Sequence, residues 1–266
     1  MKCVVCKNDY AIYDGRIIEG MGYVCRHCLS LKSYNTTNDN YIGNRKKMPK
    51  YGFELELSKK IDSAYKLLKH DFLPTYDGSV EIEFKSPIFA DFYHYNRIAN
   101  IINELDKRSI ASTHIHIELS LYTKRIITSY WKLLWNPMVN FLYYNDKLTK
   151  KVYGRYFNRW ASAYITPYQR YTAFNIATHY PTFEIRLAKF RNPEQFRKLI
   201  EWGRNVSYML DNNMEIDHTS ETISEFEIKR ARFNIVKIFN YVFKKELKYY
   251  NLDAIDYVKK YYSRMQ

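Results

Sequence analysis

Four stretches of the chain alternate apolar and polar residues with a period of two: 51–57, 79–86, 113–119 and 182–188. Successive side chains of an extended chain point to opposite faces, so each stretch predicts a half-buried strand. Apolar spacing of three and four over 59–69, 92–107, 123–144, 194–211 and 221–247 predicts helices instead. Ser58 and Asp91 precede the first two as N-caps, and Asn192-Pro193 opens the fourth, with a proline where the first turn needs no N–H. No internal repeat interrupts this mixture, which predicts an α+β fold: a largely antiparallel sheet with helices packed on one face.

Splitting each strand into its two rows shows where chemistry is offered. YGFELEL sets Phe53, Leu55 and Leu57 against Glu54 and Glu56. SVEIEFKS sets Val80, Ile82 and Phe84 against Glu81, Glu83 and Lys85. THIHIEL sets Ile115, Ile117 and Leu119 against His114, His116 and Glu118, and PTFEIRL sets Phe183, Ile185 and Leu187 against Thr182, Glu184 and Arg186. Any one of these polar rows suits an ordinary solvated strand. Together they gather carboxylates and imidazoles on one kind of face, where like charges repel unless cations sit among them. Glu and His with open positions suit Mg²⁺ or Mn²⁺, and nearby arginines direct that chemistry toward phosphoryl groups.

Outside these strands the N-terminus carries Cys3-x2-Cys6, eighteen residues, then Cys25-x2-Cys28. That spacing predicts a four-cysteine zinc site, a zinc-ribbon module over residues 1–30, whose metal supplies folding energy that so small a segment lacks. His27 is a bystander between ligands, and Gly15, Gly20 and Gly22 suit the turns of a small hairpin between the knuckles. Residues 31–50, LKSYNTTNDNYIGNRKKMPK, lack apolar periodicity and read as a linker ending in the basic run Arg45, Lys46, Lys47 and Lys50, and residues 51–266 form the main domain.

The 266 residues carry 42 Lys+Arg against 28 Asp+Glu, a net charge of +14 that suits polyanionic partners. The 27 tyrosines and only 8 glycines equally suit an AT-rich genome, such as that of a low-GC bacterium or its phage. With no long apolar segment and no secretory leader, the chain is expected to be cytoplasmic and without membrane contact.

Taken in order, YGFELEL, YDGSVEIEFKSP, THIHIEL and RYTAFNIATHYPTFEIRL resemble the motifs of the amidoligases, within the carboxylate-amine ligase superfamily that includes glutamine synthetase and glutamate-cysteine ligase. The resemblance covers roughly residues 50–200. It implies a glutamine synthetase-like antiparallel sheet holding ATP and Mg²⁺. By position, Glu54 and Glu56 match the metal-binding pair of the first strand, and Glu83, three residues before Ser86-Pro87, matches the glutamate of E-x-x-S-P. His114 and His116 match H-x-H, the first nearer metal and the second nearer ATP phosphate. Arg170 and Asn175 match R-Y-x-x-x-N at the nucleotide. Glu184 and Arg186 match E-x-R, a metal ligand beside a phosphate-binding arginine. Asp77-Gly78-Ser79 runs almost directly into the second strand, whereas the family has a longer loop, so the choice of ligand between Glu81 and Glu83 stays open.

What the resemblance implies is an ATP-dependent ligase that joins a carboxylate to an amine, on free substrates or on a peptide or protein, through an acyl phosphate. Arg170, Glu184 and Arg186 would carry the catalytic charge. Two alternatives remain: a guanidino kinase of the same superfamily, and a catalytically silent protein that binds nucleic acid or protein through the zinc ribbon and its basic surface, including Lys229, Arg230, Arg232, Lys244, Lys245 and Lys248. Trp131, Trp135, Trp160 and Trp202 fall in helical patterns and are expected in the core. Arg155 and Arg159, four apart in YGRYFNRW, suit either phosphate or the surface of a helix.

Overall fold

The computed structural model describes residues 15–18, 22–25, 48–57, 66–67, 72–75, 82–89, 95–105, 110–166, 169–178, 180–190, 192–217 and 219–263. Among them β1 (Gly15–Ile18) and β2 (Gly22–Cys25) form an antiparallel hairpin in which Gly15 faces Cys25, as the glycines suggested. Cys3, Cys6 and Cys28 lie outside the described residues, as do Ser58, Asp77, Glu81 and Asp91.

The other strands are β3 (Tyr51–Leu57), β4 (Leu73–Thr75), β5 (Ile82–Lys85), β6 (Ile110–Glu118), β7 (Phe174–Asn175) and β8 (Thr182–Ile185). They form one antiparallel sheet in the order β4-β5-β3-β6-β8-β7, and with the helices this makes the chain α+β. The four strands expected from alternation are present. The short edge strands β4 and β7 had no sequence signal, because two or three residues cannot display a period. Pro74 is tolerated in β4 because that strand has a neighbour on one side only.

The described helices are α1 (Tyr95–Glu104), α2 (Leu121–Thr128), α3 (Trp131–Tyr144), α4 (Asp146–Tyr153), α5 (Pro193–Asn212), α6 (Glu225–Val242), α7 (Lys244–Tyr249) and α8 (Ala254–Ser263). The apolar period over 123–144 is divided between two helices. Ser120 caps α2 by accepting from the Thr123 N–H, and a turn at 129–130 precedes α3. Within α3, Pro137 has no N–H to offer the Leu133 carbonyl four residues back; the Arg232 guanidinium donates to that carbonyl instead. The 221–247 period likewise divides, into α6, capped by Ser224, and α7. Helix α4, not foreseen, stops at Gly154, whose φ of 86° is open to glycine at little cost. Of 59–69 only residues 66 and 67 are described, both helical. Among the described residues no helix is long and apolar enough to cross a membrane.

The chain divides into two compact units. The first takes its described residues from 1–43, Gly52–His114 and Lys189–Pro193, the second from Asn44–Tyr51, Ile115–Ala188 and Glu194–Gln266. In the first, the apolar row of β3 is buried: Phe53 packs edge-on against Phe72 at 5.3 Å and stacks with Phe89 and Phe190 at 6.0 and 6.1 Å. Ser86, the serine before proline in E-x-x-S-P, ties the end of β5 to β3. Its N–H donates to the Phe53 carbonyl at 2.8 Å, and its hydroxyl accepts from the Phe53 N–H at 2.9 Å.

The second unit is built on an aromatic core. Trp135 stacks on Phe174 at 4.3 Å, meets Trp202 edge-on at 5.6 Å and touches Trp131 at 5.2 Å, while the Trp131 indole donates to the Phe174 carbonyl. Fully burying a large side chain of this kind contributes about 1.5–3 kcal/mol. Trp131, Trp135 and Trp202 are therefore core, as expected. Trp160 is not: it is 43% exposed and sits in a turn, and YGRYFNRW is loop from Gly154 onward rather than helix. The end of the expected linker is also anchored in this unit. The Lys50 N–H donates to the Glu118 carboxylate at 2.9 Å, the Lys50 carbonyl accepts from the Glu118 N–H, and buried Arg204 donates to the Pro49 carbonyl.

Candidate functional site

In the first unit, β3 and β5 pair with Glu54 opposite Lys85 and Glu56 opposite Glu83. The polar rows read from the two strands thereby share one face. β6 brings His114 to the same group. Its Nδ1 lies 3.4 Å from Glu54 Oε2, and its Nε2 lies 3.5 Å from Glu56 Oε1 and 3.1 Å from the Ser112 hydroxyl. Glu56, Glu83 and His114 are buried and Glu54 is half-buried. Two carboxylates therefore meet one imidazole, and the third, Glu83, joins them through Lys85. The Lys85 ammonium lies 3.3 Å from Glu54 and 3.8 Å from Glu83.

Glu83 shows the electrostatic cost. Burial, and then the neighbouring negative charge of Glu54, push its carboxyl above the usual carboxylate range, against the opposing pull of the Thr75 hydroxyl, Lys85 and His114. The Thr75 hydroxyl donates to Glu83 Oε1 at 2.7 Å. Thr75 escaped the sequence reading because it lies in the three-residue β4, and only the register Thr75 opposite Glu83 reveals it. Glu81 lies outside the described residues, so the structure describes Glu83 alone of that pair.

In the second unit, β6 and β8 pair with His116 opposite Glu184, and β7 places Asn175 opposite Glu184 from the other side. The Arg186 Nη1 donates to Glu184 Oε1 at 2.8 Å, and its Nε donates to the Trp160 carbonyl at 3.2 Å. Both members of this ion pair are buried. The Asn175 amide is fully engaged: Nδ2 donates to Glu184 Oε2 at 2.7 Å and Oδ1 accepts from the Ala177 N–H at 2.8 Å. Asn175 thus orients Glu184. His116 lies 3.4 Å from the Thr182 hydroxyl through Nδ1 and 4.0 Å from Glu184 through Nε2.

Arg170 and Arg186 flank one ring, with their guanidinium carbons 5.4 and 5.6 Å from the Tyr171 centroid; Arg170 is exposed. Arg155 donates to the Arg186 carbonyl, which places it behind that residue. A further member had no sequence signal: the Lys124 amine donates to the Thr178 carbonyl and hydroxyl at 2.7 Å each and to the Tyr180 carbonyl. The Thr178 hydroxyl in turn accepts from the Thr182 hydroxyl beside His116. Burial pushes the Lys124 amine down to about 8.

Each unit therefore presents a built polar group. The first is rich in carboxylate oxygens around one imidazole, a donor set that fits a hard divalent cation. The second is an oriented carboxylate beside two guanidinium groups and an imidazole, a set that fits phosphate. In comparisons with protein-family models, curated proteins and solved structures, nothing matches this chain.

Proposed function

We propose that the chain is an ATP- and Mg²⁺-dependent carboxylate-amine ligase with a glutamine synthetase-like sheet. The observation that carries this reading is the group Glu54, Glu56, Glu83 and His114: two carboxylates meet an imidazole, and a third stands opposite one of them, with the Lys85 ammonium between Glu54 and Glu83. Such a concentration of negative charge is costly without cations. The order of the four strand motifs supports the same reading.

Glu54, Glu56, Glu83 and His114 would hold Mg²⁺ or Mn²⁺ in the first unit, and Glu184 would offer a carboxylate to such an ion in the second. A divalent ion held there would neutralise phosphate charge on ATP. Arg186 holds its guanidinium fixed between Glu184 and the Trp160 carbonyl, ready to stabilise charge on a transferred phosphoryl group without reorganising. Arg170, exposed beside Tyr171, would meet phosphate from solvent. A free carboxylate is a poor electrophile. It takes the γ-phosphoryl group of ATP, releasing ADP, and the resulting acyl phosphate loses inorganic phosphate when an amine attacks its carbonyl carbon and gives up a proton.

Glu54→Gln and Glu56→Gln should each weaken Mn²⁺ binding, followed by calorimetry and by the paramagnetic signal of the free ion, by at least about tenfold. Unchanged Mn²⁺ affinity in both variants, or no ATP binding by the wild-type protein with Mg²⁺ or Mn²⁺, would overturn the reading. Product analysis after incubation with pooled amino acids and peptides separates it from the guanidino kinase: a ligase leaves a new amide and phosphate, a kinase a phosphorylated guanidine. The zinc module rests on its own spacing. One zinc per chain by atomic absorption, lost in Cys25→Ser together with Cys28→Ser, is expected, and a metal-free wild-type chain would refute it.

A further inference from the structure

The ligase reading leaves a surface of the second unit without a role. Between Tyr143 and Tyr171 the chain has six basic residues, Lys147, Lys150, Lys151, Arg155, Arg159 and Arg170, against one acidic residue, Asp146. The apolar side chains of this stretch are sorted by type. Leu148, Val152, Tyr153 and Ile165 are buried, whereas Tyr143, Tyr144, Tyr156, Trp160, Tyr164 and Tyr171 are exposed. What remains apolar and in contact with water is therefore mainly aromatic ring.

Those rings are paired with cations. The Lys150 amine lies 4.9 Å from the Tyr156 centroid, Arg159 4.8 Å from Trp160, Lys132 5.2 Å from Tyr164 and Arg170 5.4 Å from Tyr171. Trp160 and Tyr171 meet edge-on at 5.1 Å, and Tyr143 lies 6.0 Å from Phe157. Among the described residues each exposed ring from Tyr156 to Tyr171 thus has a cation beside it, and Trp160 stands out as the exposed tryptophan, with the other three in the core.

The ligand that matches this pattern must offer flat apolar faces and regularly spaced negative charge at once. Unpaired bases on a phosphodiester backbone do so. A duplex hides its base faces within the stack, an acidic peptide lacks the rings, and an anionic bilayer is met by the apolar face of an amphipathic helix, whereas Tyr156, Trp160, Tyr164 and Tyr171 stand outside the helices. We propose that the aromatic and basic surface centred on Trp160 docks single-stranded nucleic acid, with bases stacked on its exposed rings and phosphates held by its guanidinium and ammonium groups. Arg170 and Tyr171 are shared with the phosphate group described above, but the side chains of Lys150, Arg159, Trp160 and Tyr164 are not, so the variants below test this surface and not the ligase reading.

The test is fluorescence anisotropy of a labelled oligothymidine titrated with the full chain over a series of salt concentrations. Affinity should fall linearly in log salt. Trp160→Ala should weaken it by roughly fivefold or more, the scale of one lost base–aromatic stack, and Arg159→Glu should weaken it and flatten the salt slope. Lys229→Glu, on α6, should leave it unchanged. Iodide should quench the exposed Trp160 selectively in the free protein, and the oligonucleotide should protect it. Both patch variants replace exposed side chains, so their melting curves should match the wild type and report that the fold is kept. The proposal is overturned if the oligonucleotide does not bind, if a duplex of equal length binds as tightly, if both patch variants bind like the wild type, or if Trp160 is protected by phosphatidylserine vesicles and not by the oligonucleotide.

Discussion

Glu184→Gln is expected to destabilise the protein by about 3–5 kcal/mol, the cost of leaving one partner of a buried ion pair without its counter-ion. Arg186 and Glu184 are both almost wholly inaccessible, and 2.8 Å separates the guanidinium from the carboxylate. The Glu184 carboxylate accepts from Arg186 with one oxygen and from Asn175 with the other. A glutamine amide has one acceptor for these two donors, so either orientation sets an NH₂ group against N–H. Urea unfolding followed by circular dichroism should show a lower midpoint at unchanged slope. Glu184→Gln with Arg186→Met should recover most of the loss, because two neutral side chains need no mutual compensation. ATP turnover should remain at least about a hundredfold down in both variants, which separates the electrostatic role from the structural one. A midpoint unmoved by Glu184→Gln would show that the pair contributes nothing to stability.

The second large effect falls on the opposite face of the same strands. Gly203, in the middle of α5, lies close against the sheet in the second unit. A Cβ there would lie 2.9 Å from Ile117 Cγ1, 3.2 Å from Ile117 Cδ1 and 3.3 Å from Ile185 Cδ1. Both isoleucines are fully buried on β6 and β8, next to His116 and Glu184 in sequence but on the other face. Gly203→Ala should already destabilise, by about 1 kcal/mol, since helix propensity only partly offsets a Cβ pressed against the Cγ1 of a buried isoleucine. Gly203→Val adds two further methyl groups at a seam without room and should cost about 3 kcal/mol, the upper end of overpacking in a filled core. Thermal unfolding should register this as a drop of roughly 6–10 °C. A valine variant melting with the wild type would mean that the helix shifts away freely.

The period-two rows made much of this legible. Glu54, Glu56, Glu83 and His114 gather on one face because an extended chain sends alternate side chains the same way, and the register Glu56 opposite Glu83 then follows from pairing. Glu184 and Arg186 meet for the same reason, being two residues apart on one row. The reading was wrong where it relied on helical period in loop. Trp160 belongs to a sequence that scans like its three buried counterparts, yet Gly154 ends α4 and puts the following residues in loop. The bonds that Asn175 makes to Glu184 and Ala177 carry no signal in the sequence. Arg232, grouped with a basic surface, supplies the donor that Pro137 removes from α3.

Alternation, cap residues and cysteine spacing act over a few neighbouring residues, so the chain alone specified its main strands, most helical stretches, the hairpin near its start and the face on which its carboxylates stand. Which strands become neighbours is decided by contacts between residues from 8 to 70 apart, and no local period records them. Thr75 beside Glu83, His114 between Glu54 and Glu56, and Lys124 against Thr178 all belong to that second class. So does the choice of which tryptophans face water, because burial depends on what packs against a ring and not on the residues that flank it.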